Sequence, residues 1–193
     1  MVLALWVSGC RTRAPRTAAD TDFSYAQYFT EPAPRLLFKS RIRLSKEAFS
    51  GLLVVKRTAE GEYRSIFTTE TGFKLFDFTV TDSGYTVNYG VGPIAKKFIS
   101  VRLAYTVQAF LLRPLGHYPS SPAEGDGSTF RAGKYGYELR KQDNRVSEQT
   151  VSFKGRDKAT SRFFDFGAGG VPDSASVSHS GFPLTASFRI LKQ

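Results

Sequence analysis

Short runs of alternating apolar and polar residues, joined by turn-forming residues, fill most of this sequence. Residues 38–45 alternate strictly, with Phe38, Ile42 and Leu44 on one parity and mainly basic residues on the other. Because successive side chains of a β-strand point to opposite faces, this period of two predicts a strand with one buried face. The turns are short, so an antiparallel meander is the predicted arrangement. Further predicted strands are 52–55, 63–69, 74–80 and 85–89, and then 134–140, 147–153, 161–166, 175–179 and 184–191.

One stretch between the two blocks of strands has helical periodicity instead. Residues 94–113 contain neither Gly nor Pro, and Pro93 stands where a helix could begin. Two apolar stripes run along this stretch, and a helix that is apolar on two sides must be covered on two sides. We therefore expect it in the mouth or interior of a curved sheet. The first stripe is Ile99, Leu103, Val107 and Phe110; the second is Ile94, Phe98, Val101, Tyr105 and Leu112.

These patterns predict a mostly β fold of the α+β type. The 17 Phe and 9 Tyr agree with it, because aromatic residues favour strands. Residues 119–128 are rich in Pro, Ser and Gly, which predicts a flexible loop before the second block of strands.

The first ten residues have the pattern of a secretory signal that ends at a cysteine. Residues 1–7 are apolar and lead through Ser8 and Gly9 to Cys10. Residues 7–10 resemble the lipobox of bacterial lipoproteins, which implies cleavage before Cys10 and a lipid on its sulfur. The apolar run is short and no basic residue precedes it, which indicates a true start further upstream. The resemblance divides the chain into a signal peptide (1–9), a lipidated tether (10–34) and a single domain (35–193); the alternative is an ordinary N-terminal thiol.

The charge of the chain limits its partners. There are 27 basic and 17 acidic residues, a formal net charge of +10. Such a surface suits phospholipid head groups, lipopolysaccharide or nucleic acid. The signal sequence argues against nucleic acid. The alternative is that the positive charge serves solubility alone.

The sequence carries no signature of an enzyme. His117 and His179 lie in separate segments without metal-ligand spacing, and no G-x-S-x-G motif accompanies them. The glycine-rich residues 167–170 precede Val171 and Pro172 rather than a helix with a lysine, so they do not form a phosphate loop. Since Cys10 is the single cysteine, a disulfide within the chain and a cysteine metal cluster are excluded. We expect no enzymatic activity, no metal and no cofactor beyond the covalent lipid on Cys10.

Two polar residues on predicted strands invite a functional interpretation. His179 is flanked by serines, and we interpret it as a histidine at the edge of a loop with ordinary hydrogen bonds. Asp77 lies between Phe76 and Phe78 and should face away from them. It is either a solvent-facing strand residue or a polar contact for a ligand head group.

Three segments carry the pattern of a known family: 49–55 as an early strand, 69–72 leading into 75–78, and 171–173 leading through 178–179 to the last strand. Together with the order of strands, central helix and further strands on a lipidated tether, they resemble the LolA/LolB superfamily of lipoprotein carriers, in particular its outer-membrane lipoprotein members. One departure concerns the early hairpin at residues 57–62, which is polar and lacks the exposed hydrophobic side chain that the family's outer-membrane receptor carries on an early loop. Lipid binding can therefore be shared without the transfer activity.

This resemblance implies an antiparallel unclosed β-barrel, or half-barrel, with a central helical lid segment and an apolar concave face. It implies a lipoprotein anchored in the outer membrane, on the periplasmic face of the bacterial envelope. Such a protein would bind lipid or the acyl chains of lipoproteins and act in lipid or lipoprotein trafficking. The alternative is a non-enzymatic accessory envelope lipoprotein that binds another protein and fills its cavity with its own helix. The candidate cavity residues are Phe76, Phe78, Phe98, Val101, Tyr105, Phe164 and Phe166.

Overall fold

The computed structural model describes residues 35–59, 62–81, 84–111, 127–132, 135–143, 145–153, 157–167 and 171–191. Cys10, the tether and His117 lie outside this part. Within it, eleven strands, a short 3₁₀-helix (Gly92–Ala95) and one α-helix, α1 (Lys97–Phe110), follow one another. The strands are β1 (Leu36–Leu44), β2 (Glu47–Ala59), β3 (Glu62–Thr69), β4 (Lys74–Thr81), β5 (Tyr85–Gly90), β6 (Gly127–Ala132), β7 (Tyr135–Gln142), β8 (Arg145–Phe153), β9 (Asp157–Phe166), β10 (Pro172–Ser180) and β11 (Leu184–Ile190).

The strands form one antiparallel sheet made of two meanders. Its order is β5-β4-β3-β2-β1-β11-β10-β9-β8-β7-β6. The first and last strands of the chain join the meanders, with Phe38 opposite Ile190 and Leu44 opposite Leu184. The described strands β5 and β6 form the two edges, so the sheet is unclosed. The predicted antiparallel, mostly β fold with an open half-barrel is confirmed.

Helix α1 shows how strongly the sheet curves. It contacts β4 and β5 on one side and β9 and β10 on the other. Strands β4 and β10 are five places apart in the sheet, which is about 24 Å on a flat sheet with a strand spacing of about 4.8 Å. A helix with its side chains is only about 10–12 Å across. The sheet therefore wraps around α1, and the helix lies on the concave face.

Alternation along the strands separates the two faces of the sheet. In β1 the residues of one parity, including Phe38 and Ile42, are almost fully buried under the helix, whereas Lys39, Arg41 and Arg43 are exposed. The same division holds along β11.

Gly51 of β2 marks a close approach of two neighbouring strands. A Cβ at this position would lie 1.9 Å from the carbonyl oxygen of Thr68 in β3. Real Cβ atoms never come so close to a backbone atom, so this inner-face position requires glycine.

The helical segment differs from its prediction in one respect. The predicted helix at 94–113 is divided into the 3₁₀-helix, which has Pro93 in its first turn, and α1. Lys96 separates the two because its backbone is extended, with ψ 124°. Residues 112 and 113 lie outside the described part. Ser100 is 3% exposed; its hydroxyl donates to the Ile94 carbonyl oxygen and lies 3.3 Å from that of Lys96.

One strand was not predicted. Residues 127 and 128, assigned to a loop by composition, begin β6, which runs to Ala132 and pairs with β7. Strand β2 likewise extends well beyond the apolar run 52–55 on both sides. In both cases backbone hydrogen bonds to a neighbouring strand form where side chains carry no apolar signal.

Candidate functional site

The first apolar stripe of α1 packs into the concave face. Its four residues are all at most 6% exposed, as the sequence predicts. Phe110 lies between two phenylalanines of the sheet: its ring centroid is 4.9 Å from that of Phe38, edge to face, and 4.2 Å from that of Phe188, stacked. The second half of the helix therefore fills the concave side with its own side chains.

Polar contacts fix the same half of the helix to the sheet. The Thr106 hydroxyl donates to the Arg102 carbonyl oxygen at 2.9 Å and lies 2.8 Å from Nε2 of His179. A hydroxyl has one hydrogen, so His179 donates to Thr106. The Gln108 amide donates to the carbonyl oxygens of Thr81 (3.2 Å) and Gly84 (2.9 Å). His179 thus lies within β10 and holds the helix, which corrects its interpretation as a histidine at a loop edge.

The first half of α1 is less well covered. Phe98 is 59% exposed, and Val101 and Tyr105 are half-buried. The Tyr105 ring meets that of Tyr85 edge to face at 5.8 Å. Burial raises the pKa of Tyr85, and the neighbouring Tyr105 adds to this effect. These three candidate residues of the second stripe therefore lie together on the side of the helix that the described sheet covers incompletely; Leu112 lies outside the described residues.

An apolar opening lies at the start of α1. It is a depression of about 330 Å³ between the helix and the β1–β2 and β10–β11 turns. The Phe98 ring meets Phe182 at 6.3 Å, and the guanidinium of Arg102 lies 5.5 Å from the Phe182 ring. This volume is at the lower end of the range of small-molecule pockets, about 300–1,000 Å³. The apolar residues that line it are Leu44, Pro93, Phe98, Ile99, Phe182 and Pro183.

The two candidate phenylalanines of β4 lie on the concave face but deep in the core. Phe76 and Phe78 are both 0% exposed and stack with centroids 4.6 Å apart, and Phe67 stacks on Phe76 at 5.4 Å. They form the floor beneath the β5 side of the helix rather than part of the opening.

The two candidates of β9 are placed differently from the rest. Phe163 faces the core at 3% exposure, so Phe164 points to the opposite, outer face and is 44% exposed. Asp165 has a left-handed backbone, φ 55°, which interrupts the alternation. Phe166 beyond it is half-buried against the core, with the guanidinium of Arg145 5.5 Å from its ring. The structure therefore does not bring Phe164 to the concave face. The inward direction of Phe163 could have been recognised in the sequence, because Phe163 shares its parity with the small residues Ala159 and Ser161.

Asp77 faces away from the aromatic stripe, as predicted, but it is not exposed to solvent. Its side chain is 1% exposed because Arg64 covers it, donating Nε at 2.9 Å and Nη2 at 2.7 Å to the two carboxylate oxygens. Asn88 donates at 3.2 Å, and the Lys74 ammonium lies 3.6 Å away. The Arg64 hydrogen bonds hold the pKa of Asp77 below its usual value, against the opposing effect of burial. The solvent-facing interpretation is wrong, and the carboxylate is already engaged by the chain itself.

Two further features concern membranes and metals. None of the described helices is both long and apolar enough to span a bilayer. The described residues contain no cluster of three or more His, Cys, Asp or Glu side chains that could hold a metal ion.

No protein-family model matches this sequence, and no curated protein matches it. Among solved structures, the chain is similar to a LolA superfamily protein from Nitrosomonas europaea. The two are 10% identical, with a TM-score of 0.48 over 82% of this chain and 83% of that chain.

Proposed function

We propose that this chain is a lipid-binding protein of the bacterial cell envelope without enzymatic activity. Acyl chains of a lipid or a lipoprotein enter at the opening beside Phe98 and lie between the first half of α1 and the concave face of the sheet. The apolar opening carries this proposal. An alkyl chain bound here would cover the exposed Phe98 ring and the apolar side chains of the depression. Burial of the alkyl chain itself contributes about 0.8 kcal/mol for each CH₂.

The uneven burial of α1 supports the same proposal. Residues from Leu103 onward are buried, with Tyr105 as the half-buried exception, whereas in the first half Ile99 and Ser100 are buried, Val101 and Arg102 are half-buried, and Lys97 and Phe98 are exposed. Hydrogen bonds from Gln108 and His179 fix the second half to the sheet. The first half can therefore move aside while the second half stays attached.

Anchoring and location complete the proposal. A lipid on Cys10 would hold the protein at the periplasmic face of the outer membrane, with residues 11–34 as the tether. In that place the cargo would be envelope lipid or the acyl chains of lipoproteins in transit. These statements depend on the lipobox pattern of residues 7–10.

Binding of a fluorescent fatty acid to the Cys10→Ala protein tests the site. Phe98→Glu places a charge at the opening, on a side chain that is already exposed, so the variant should fold and bind at least tenfold more weakly. Phe73→Glu is the matched control, because Phe73 is 56% exposed but lies in the β3–β4 turn. Equal affinity of the two variants would exclude the opening as the entry site.

A second candidate is the accessory lipoprotein whose helix permanently fills the sheet. The Phe38–Phe110–Phe188 cluster favours it, because the concave side is already occupied there. Native mass spectrometry of the Cys10→Ala protein separates the two functions: a carrier retains lipid masses, and a filled sheet does not. Hydrogen exchange provides a second measure, since a mobile lid exchanges faster at 97–102 than at 103–110, whereas a fixed helix is protected throughout.

A further inference from the structure

Four cations lie together on the outer face of the sheet, opposite the helix. Lys39, Arg41 and Arg43 are the outward residues of β1, and Arg189 is an outward residue of β11. All four are exposed. The register places Lys39 directly opposite Arg189, and directly opposed residues have Cβ atoms only about 4.5–5.5 Å apart.

This arrangement is costly without an anion. Like charges directly opposite each other on neighbouring strands destabilise a sheet. Two outward acids of other strands are already paired: Asp77 with Arg64, and Glu148 with Arg140 and Arg162. Within the described part of the chain, no carboxylate forms an ion pair with any of the four central cations. They are therefore available to a negatively charged partner.

The surface around these cations is shaped as a groove. A depression of about 620 Å³ crosses β1, β11 and β10, and Lys39, Arg41 and Arg189 line it. Serine hydroxyls at its walls can donate to phosphate oxygens, and one carboxylate, that of Glu70, lies at its rim. Phe164 adds an apolar side chain that is 44% exposed. These serines are Ser50, Ser176 and Ser187; the hydroxyl of Ser174, which also lines the groove, already donates to Oδ2 of Asp165 at 3.2 Å.

We propose that this groove docks the protein on membranes through the phosphate-bearing head groups of anionic phospholipids. The partner follows from charge complementarity and from the exposed phenylalanine, because basic side chains beside apolar ones suit the boundary between head groups and acyl chains. Of the two phenylalanines that line the described groove, only Phe164 is exposed, because Phe188 is 3% exposed and belongs to the core; single-stranded nucleic acid is bound on a series of stacked aromatics. Docking at this face is independent of the acyl-chain site on the other face of the sheet.

Vesicle binding by the full-length Cys10→Ala protein tests the proposal without a lipid anchor. The vesicles are phosphatidylcholine alone, or phosphatidylcholine with one-third phosphatidylglycerol. We expect binding to the anionic vesicles only, weakening as salt is added. Since each cation near an anionic surface contributes a factor of about five in partitioning, Lys39→Gln with Arg189→Gln should reduce binding about 25-fold.

The matched control removes the same charge elsewhere. Lys96→Gln with Lys97→Gln neutralises two exposed lysines at the start of α1 and should reduce binding far less. The groove variant loses a like-charge pair, so its melting temperature should not fall, and retained fatty-acid binding confirms that it is folded. Equal losses in the two variants would overturn the proposal, as would equal binding to neutral vesicles. Tighter binding of a single-stranded oligonucleotide, or release from vesicles by inorganic phosphate at the lipid phosphate concentration, would also overturn it.

Discussion

Replacing Asp77 by Asn removes a charge from the best-connected buried carboxylate of the described structure. Asp77 is 1% exposed and accepts two hydrogen bonds from Arg64 and one from Asn88. Asparagine keeps the shape and one acceptor oxygen but loses the charge and one acceptor. Hydrogen bonds to charged groups contribute about 1.5–3 kcal/mol each. Because the Arg64 side chain is half-exposed and can regain water, we expect a total loss of about 2–3 kcal/mol at neutral pH.

The pH dependence of this loss follows from the direction of the pKa shift. The pKa of Asp77 is lowered in the folded protein, first by the Arg64 hydrogen bonds, relative to about 3.9 in an unfolded chain. Because the pKa of Asp77 is lower in the folded protein, its ionised carboxylate stabilises the fold fully at pH values above the pKa of the unfolded chain. This stabilisation is lost as the pH falls through the pKa of the folded protein. The difference between wild type and Asp77→Asn should therefore be constant from about pH 6 to 8 and shrink below about pH 4.

Urea unfolding at a series of pH values measures this difference. Glu148→Gln is the control, because Glu148 also contacts two arginines but in a more exposed setting, where an ion pair contributes about 0.2–1 kcal/mol. A loss for Asp77→Asn no larger than that of the control, or one that grows as the pH falls, would refute the reasoning.

Two further predictions concern the core and the anchor. Phe110→Ala should lower the free energy of unfolding by about 3–5 kcal/mol, because Phe110 is 1% exposed between Phe38 and Phe188; a loss below 1 kcal/mol in denaturant unfolding would show that the cluster relaxes around the cavity. Cys10→Ala should leave the chain uncut and without lipid, which mass spectrometry of the purified protein detects. If the Cys10→Ala protein is cut and carries lipid as the wild type does, the lipobox interpretation is wrong.

The sequence predicted the strands whose two faces differ in polarity. In β1 and β11 apolar and polar side chains alternate, so their inward parity could be read directly. It did not predict β6, which begins among the glycines and serines of 119–128. Where a strand begins and ends depends on backbone hydrogen bonds to the neighbouring strand. Such pairing leaves no pattern in the side chains of a single segment.

The positions of the candidate residues in the fold were predicted in part, and the errors have physical causes. The first stripe of α1 is buried as predicted, because helical spacing alone determines which residues share a face; in the second stripe, Ile94 belongs to the 3₁₀-helix and Leu112 lies outside the described residues. Phe163 and Phe164 are both aromatic, so residue type could not show which of them faces inward, and Phe164 was the wrong choice. The inward parity of β9 is marked only by the small residues Ala159 and Ser161. Arg64 and Asn88, which donate hydrogen bonds to Asp77, lie on the neighbouring strands β3 and β5, so spacing along the chain could not reveal them.

The filled concave face is compatible with lipid binding when the energies are compared. Moving the first half of α1 (97–102) aside would expose mainly Ile99, which is 6% exposed, at about 1.5–3 kcal/mol. Burying about ten methylenes of an acyl chain in the same place would return about 8 kcal/mol. The exchange is therefore favourable as long as the second half of the helix stays bound. The Phe110 cluster and the hydrogen bonds of Thr106 and Gln108 hold that half to the sheet, as the proposed hinged lid requires.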